Sequence, residues 1–367
     1  SSLNFNRTFS KKTKLKGYTF FNFIKQNEFL NSLQNFYTSE NTESLLKKSA
    51  IEGTSGFNIN KIEFEHKKNE NTYYNYLLVT NYNNNKQENN LKTISFQEEN
   101  QFNERNTVSN FNLGQKLSYK RKLSSKTLFD LSVYNDLTFD NNKLQLQSNT
   151  PFLNLNFQQD FSANQKSDYH NSKLGVNSKI TSKGTYGTYT VKAGSTSEQE
   201  KLTSFLNPSN PEFNFESSLY KSNNYIGLNF KNKRNVFFNY LLGLDLLHSY
   251  VSHDSESKTL TTLLPSVNLT FDCSKKLNFG IGYRKSASTP QIKQINNGLL
   301  LENYRTISDN SQIDFTTLLD GNSFTFNSSY NNFESGINSF ISAIYTKNKK
   351  AIGSNSQNST NATVKES

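Results

Sequence analysis

The sequence predicts an all-β chain, an antiparallel transmembrane β-barrel that is incomplete, with about 14–16 strands at ~10 residues each plus connectors. Three observations lead there. Only 33% of the chain is hydrophobic, yet it carries 30 Phe and 19 Tyr. From residue 56 onward the apolar positions recur at a period of two. Short charged turns alternate with long polar connectors, as at the two ends of a membrane barrel.

Residues 1–55 are the least regular part. Phe20 to Ile24 is a short apolar run. Phe29, Leu30, Leu33, Phe36 and Tyr37 fall at helical spacing but also fit strand and loop, so both readings stand. Residues 56–352 read as barrel strands. In Val108–Tyr119, Phe111, Leu113, Leu117 and Tyr119 share one face, and Asn110, Asn112, Lys116 and Ser118 share the other. The next alternating sets are Phe129, Leu131 and Val133, then Leu153, Leu155 and Phe157, then Leu174, Val176 and Ile180. Phe213, Phe215 and Leu219 follow, then Ile226, Leu228 and Phe230. In the C-terminal third they are Leu263, Val267, Leu269 and Phe271, then Leu277, Phe279, Ile281 and Tyr283, then Phe324 and Phe326, then Ile337, Ile341 and Tyr345. Charged residues are nearly absent from these faces. Val236–Leu247 is apolar almost throughout and reads as a short helix or a strand buried on both faces, with Gly243 and Asp245 favouring the strand. Residues 353–367 read as a polar loop or tail.

The tight connectors are Lys120 to Lys126, Lys231 to Asn235 and Asp272 to Lys276. The long ones are Ser195 to Pro211, Ser249 to Lys258 and Ser286 to Asn310. An apolar sheet face can be hidden in a sandwich, a solenoid or a lipid-facing barrel wall. No fixed short repeat supports a solenoid. The 5 Pro and the bulky Phe, Tyr, Leu and Ile positions favour the barrel over the sandwich; the lack of Trp runs against a membrane protein. The residues expected to face lipid are Phe111, Leu113, Leu117, Phe129, Leu131, Val133, Leu153, Leu155, Phe157, Leu269, Phe271, Phe279 and Ile281.

The net charge of +11 could serve nucleic acid or anionic lipid. The lysines are scattered at turns and no aromatic-basic motif accompanies them, so they read as solvated strand ends with no nucleic-acid partner expected. The single Cys273 excludes an internal disulfide framework and reads as a small buried or wall residue. No stretch approaches the ~18 apolar residues of a membrane helix. With no Met at all, the chain reads as a mature chain or a fragment.

The chemistry of an active site is not visible. His248 and His253 with Asp254 invite a metal reading, but no helical spacing or further ligand supports one. His170, beside Asp168 and Tyr169, reads as a turn residue, and Gly184 and Gly187 of GTYGTYT read as strand. No catalytic residue, cofactor or metal is expected, and the chain reads as a non-enzyme.

The stretch from Leu264 to Ile352 carries a resemblance. It has Leu264-Pro265-Ser266 at a strand start and a turn with Lys275-Lys276. Tyr283-Arg284-Lys285-Ser286 then ends a strand, and Ser288-Thr289-Pro290 opens a long loop. This resembles the barrel of TonB-dependent receptor-like outer-membrane proteins of the Bacteroidetes, with Pro265, Tyr283, Arg284, Ser286 and Pro290 as the matching positions. The loop departs from the family pattern, with Ser308-Asp309-Asn310-Ser311 where Gly-Asn-Pro and Lys-Pro-Glu are usual. The resemblance implies a barrel of about 22 strands with an N-terminal plug and a Ton box, neither of which is recognisable in these residues. It also implies a bacterial outer-membrane location and uptake of an unknown ligand. The expected partners are outer-membrane lipid, a TonB-type energy-coupling protein and a surface lipoprotein. Two other readings stay open: an anchoring or assembly barrel without transport, and an organellar porin or ribosome-associated protein of an AT-rich eukaryote.

Overall fold

Period-two alternation becomes fourteen antiparallel strands in one sheet in the computed structural model. The structure describes residues 1–37, 42–94, 99–150, 161–233, 237–274, 276–303, 306–309, 314–316, 319–332, 334–348, 355–358 and 363–366. The strands of the sheet are β1 (Ser2–Ser10), β2 (Thr13–Tyr37), β3 (Thr42–Asn69), β4 (Thr72–Ile94), β5 (Glu99–Lys122), β6 (Thr127–Ser148), β7 (Ser162–Lys183), β8 (Gly187–Asn207), β9 (Phe215–Asn232), β10 (Phe238–His253), β11 (Glu256–Asp272) and β12 (Leu277–Ser288). After β12 come a single helical turn, α1 (Ile292–Ile295), and two short strands, β13 (Leu299–Asn303) and β14 (Thr306–Asp309). The sheet then resumes with β15 (Leu319–Asn332) and β16 (Ile337–Asn348). The short strands β17 (Asn355–Asn358) and β18 (Thr363–Glu366) join β13 and β14 in a separate four-stranded sheet. Residues 353–367, expected as a polar loop or tail, thus contribute two strands.

Every strand of the large sheet pairs with its sequence neighbour, except that β12 pairs with β15. Among the described residues the sheet is open, with β1 and β16 as its edges. Residues 1–55 belong to it as β1, β2 and the start of β3, and the stretch with helical spacing, Phe29–Tyr37, is strand paired to Thr42–Ala50. Pairing with β3 decides this, because a ladder on one side satisfies the backbone whatever the side-chain spacing.

The strands are long. β3 has 28 residues, roughly 90 Å at about 3.3 Å per residue. A bilayer needs only about 9–11. Polar sequence outside that zone therefore stays in the ladder. Ser195 to Asn207, expected as loop, completes β8, and Ser249 to Lys258 forms the ends of β10 and β11 around Asp254 and Ser255. Asp254 takes φ 50° there, a left-handed conformation that Asp tolerates. The first long connector leaves the sheet only from Pro208 to Pro211, whereas the third, Ser286 to Asn310, leaves it after Ser288.

The connectors between β1 and β2, β3 and β4, β5 and β6, β7 and β8, β9 and β10, β11 and β12, and β15 and β16 all lie at one end, the turn end. The others lie at the opposite, loop end. Gly184 sits in the β7–β8 turn and not in a strand: its N–H donates to the Gly187 carbonyl at 2.7 Å. A Cβ on Gly187 would lie 2.2 Å from the Lys231 carbonyl oxygen, so the crossing of β8 onto β9 requires glycine there. Cys273 is exposed in the β11–β12 turn, not buried in a strand, because the ladder ends at Asp272.

Of Val236–Leu247, Val236 lies outside the described residues, and Phe238–Leu247 is strand that is not buried on both faces. Leu241 and Leu242 point to opposite sides and are 41% and 42% exposed. Among the described residues the large sheet is one layer here, with no second sheet packed on either side. Pro265, which has no N–H to give, sits where the β11–β12 ladder stops: Ser266 is the first β11 residue paired to β12.

Candidate functional site

Register assigns the faces. Tyr82, Phe111, Phe139 and His170 are cross-strand neighbours, as are Leu117, Val133 and Val176. At the other side of the sheet Phe271 stands between Phe238 and Phe279, and Leu269 between Tyr240 and Ile281. Continuous register through β7 to β11 puts all of these on one face, called outer below. Of the residues expected to face lipid, Phe111, Leu113, Leu117, Phe129, Leu131, Val133, Leu269, Phe271, Phe279 and Ile281 lie on it. Leu153, Leu155 and Phe157 lie outside the described residues. His170 is a strand residue, not a turn residue, with its ring 4.6 Å from that of Phe139.

The inner face is polar and laced with ion pairs that run from the turn end to the loop end. Lys16 pairs with Glu65. Asp130 lies 3.3 Å from Lys179 and 3.9 Å from Lys120. Lys192 reaches Asp245 at 2.8 Å. Farther toward the loop end, Lys173 and Lys221 flank Glu198 at 3.5 and 3.6 Å, and Lys221 also pairs with Glu200. Glu200 is fully buried and accepts a hydrogen bond from the Tyr169 hydroxyl at 3.1 Å. An isolated buried carboxylate would be costly; the ammonium and the hydroxyl offset that cost.

What buries Glu200 is the segment after β12. Pro290 ends the extended chain, and α1 folds onto the inner face, where Ile292 and Ile295 pack with Leu202, Leu219, Val251 and Phe315. The Ile292 N–H donates to Glu200 Oε2 at 3.1 Å, which satisfies a free donor of the first helical turn. Lys293 bonds Asp140 at 2.7 Å and lies 4.1 Å from the Tyr169 ring centroid. The Leu301 N–H donates to Gln165 Oε1 at 2.8 Å. Leu301 and Ile307 complete a second cluster with Leu91, Leu144, Leu146, Ala163, Leu206 and Phe213. The segment is thus fastened across the inner faces of β4 to β10 at the loop end.

The sequence reading missed this site, though it leaves a signal. In β6 the odd positions Phe129 to Phe139 carry the outer apolar set, then the pattern moves to the even Leu144 and Leu146 with no bulge in the ladder. In β8 it moves from Tyr189, Val191 and Ala193 to Leu202 and Leu206. An unbroken strand whose apolar parity changes has something to cover on its other face.

His248 bonds Thr261 at 3.0 Å on the outer face, while His253 bonds Ser217 at 2.9 Å on the inner face. Five residues apart on a strand, they point to opposite sides and cannot share an ion. Of the motif positions, Tyr283 donates to Asn322 at 2.8 Å, Ser286 contacts the Gly321 carbonyl at 3.5 Å, and Arg284 stands beside Ser266 and Ser323.

No family model and no curated protein matches the sequence. Among solved structures, the copper transporter OprC matches with a TM-score of 0.59 at 9% identity, over 98% of this chain and 57% of that one. The unliganded ferric citrate transporter FecA matches with a TM-score of 0.52 at 11% identity, over 99% of this chain and 52% of that one. This chain therefore spans a little over half the length of these structures and shares the fold of their matching part.

Proposed function

We propose that this chain is the greater part of the barrel wall of an outer-membrane, TonB-dependent receptor-like transporter that takes up a ligand. The observation that carries the reading is the polar inner face closed at the loop end by the inward-folded α1 segment. A wall that only anchors has no use for a segment fastened by Glu200, Gln165 and Asp140 across its interior. The likeness to barrels of named metal and ferric citrate transporters supports the same reading, as does the resemblance of Leu264–Ile352 to Bacteroidetes receptors. Outer-membrane lipid, a TonB-type energy-coupling protein and a surface lipoprotein are the partners this reading assigns, and no residue receives a catalytic role.

Fractionation of the native product with a heat-modifiability gel tests it. An outer-membrane protein whose mobility shifts on boiling, and whose deletion slows growth when one nutrient is scarce, is the expected result. A soluble product with no shift overturns the barrel. A shifting product whose deletion has no nutrient-dependent effect leaves the anchoring role instead.

A further inference from the structure

The outer face carries a second cross-strand row that the transport reading leaves unexplained. Lys86 of β4, Thr107 of β5, Lys143 of β6 and Lys166 of β7 are consecutive register partners. Each lies four residues toward the loop end from a member of the aromatic row Tyr82, Phe111, Phe139 and His170. Four residues are about 13 Å along a strand, or about 10 Å in height at a tilt near 40°. If the aromatic row marks the edge of the hydrocarbon, as aromatic girdles do, the lysines stand at headgroup depth.

The row is charged against its own interest. Lys143 and Lys166 are directly opposite on adjacent strands, where like charges destabilise a sheet. Lys166 has Asp168 at 2.6 Å, but among the described residues Lys86 and Lys143 have no carboxylate partner. All three lysines are exposed. Arg105, one row farther out, is neutralised by Glu88 at 2.8 Å. Between the two rows lies an open hollow of about 510 Å³, with Tyr82, Phe111, Phe139 and His170 on its floor and Ser109 and Asp168, the partner of Lys166, on its lysine side. Its floor is aromatic and its rim polar, which suits the junction of acyl chain and sugar.

We infer that Lys86, Lys143 and Lys166, with the Thr107 hydroxyl, bind the phosphate groups of an outer-leaflet glycolipid whose acyl chains lie on the aromatic row below. Phosphate between Lys143 and Lys166 removes their repulsion and forms charge-assisted hydrogen bonds with both. The inference rests on the outer face being the lipid face.

The test uses the full chain folded in neutral detergent, with native mass spectrometry reading bound diphosphoryl lipid A. A heat-modifiability gel on the same sample reads folding, so a chain with no shift counts against the lipid-facing barrel itself and is told apart from a folded chain that binds nothing. The variant Lys86→Gln/Lys143→Gln/Lys166→Gln is compared with Lys122→Gln/Lys126→Gln/Lys183→Gln, which removes equal charge at the turn end. At least tenfold weaker binding in the first and wild-type binding in the second is expected, with dephosphorylated lipid A binding weakly to both. Equal loss in the two variants, no loss in the first, or equal binding of the dephosphorylated lipid overturns the inference. Displacement of the lipid by millimolar inorganic pyrophosphate would reassign the row to a soluble anion and overturn it as well.

Discussion

Lys192 of β8 and Asp245 of β10 form a 2.8 Å ion pair over the strand that separates them. Their common register partner on β9 is Gly227. A Cβ there would lie 1.9 Å from Asp245 Oδ1 and 2.8 Å from Lys192 Cε. The pair spans two strand spacings, roughly 9.6 Å, and its side chains pass directly over position 227, which only a residue with no side chain leaves open.

Gly227→Val should therefore break the bridge and lower stability by about 1–3 kcal/mol, the usual range for overpacking. In a double-mutant cycle with Lys192→Met, urea unfolding in vesicles should show strong non-additivity, because both changes remove the same contact. Additive effects would mean that the glycine and the bridge are independent.

Leu131 and Ser132 are adjacent but face opposite sides of β6. If the outer face meets lipid, Leu131→Arg should cost about 2–4 kcal/mol at mid-bilayer depth, and Ser132→Arg far less. Equal unfolding midpoints for the two variants in vesicles would show the face assignment to be wrong.

Glu200 and Lys221 are both buried, with side chains 0% and 5% exposed. Lys221→Met alone should cost about 3–5 kcal/mol by leaving a carboxylate without its cation, and adding Glu200→Gln should recover much of that loss. Chemical denaturation of the three variants checks this; a double variant no more stable than Lys221→Met would show that the pair is not the unit of stability.

Ile292→Glu would press a second carboxylate against Glu200 and should release α1 from the inner face. Trypsin added to intact cells should then cut after Lys293 far faster than in the parent, as read by peptide mass spectrometry. Unchanged cleavage would mean that Leu301, Ile307 and Gln165 hold the segment without α1.

Much of the sheet was legible locally. Phe111, Leu117, Val133 and Ile281 fall on one face because successive side chains of any strand point to opposite sides. The charged turns at Lys120 to Lys126 and Asp272 to Lys276 stand where ladders end. The polar arms of β8, β10 and β11 were not legible, because in a long ladder the neighbouring backbone, and not the side chain, keeps a residue extended.

The sequence by itself determined the all-β class and, within each short alternating run, which side chains share a face, since alternation is a property of a few consecutive residues. Only the tertiary structure decided that the helical-looking Phe29–Tyr37 is strand, that Pro265 stands where a ladder stops, that Phe215 and Leu219 turn to the inner face, and that α1 folds back over them and Glu200. Those outcomes depend on partners far away in sequence, such as Glu200 and Ile292 at a separation of 92 residues. No local pattern carries the energy of such a contact.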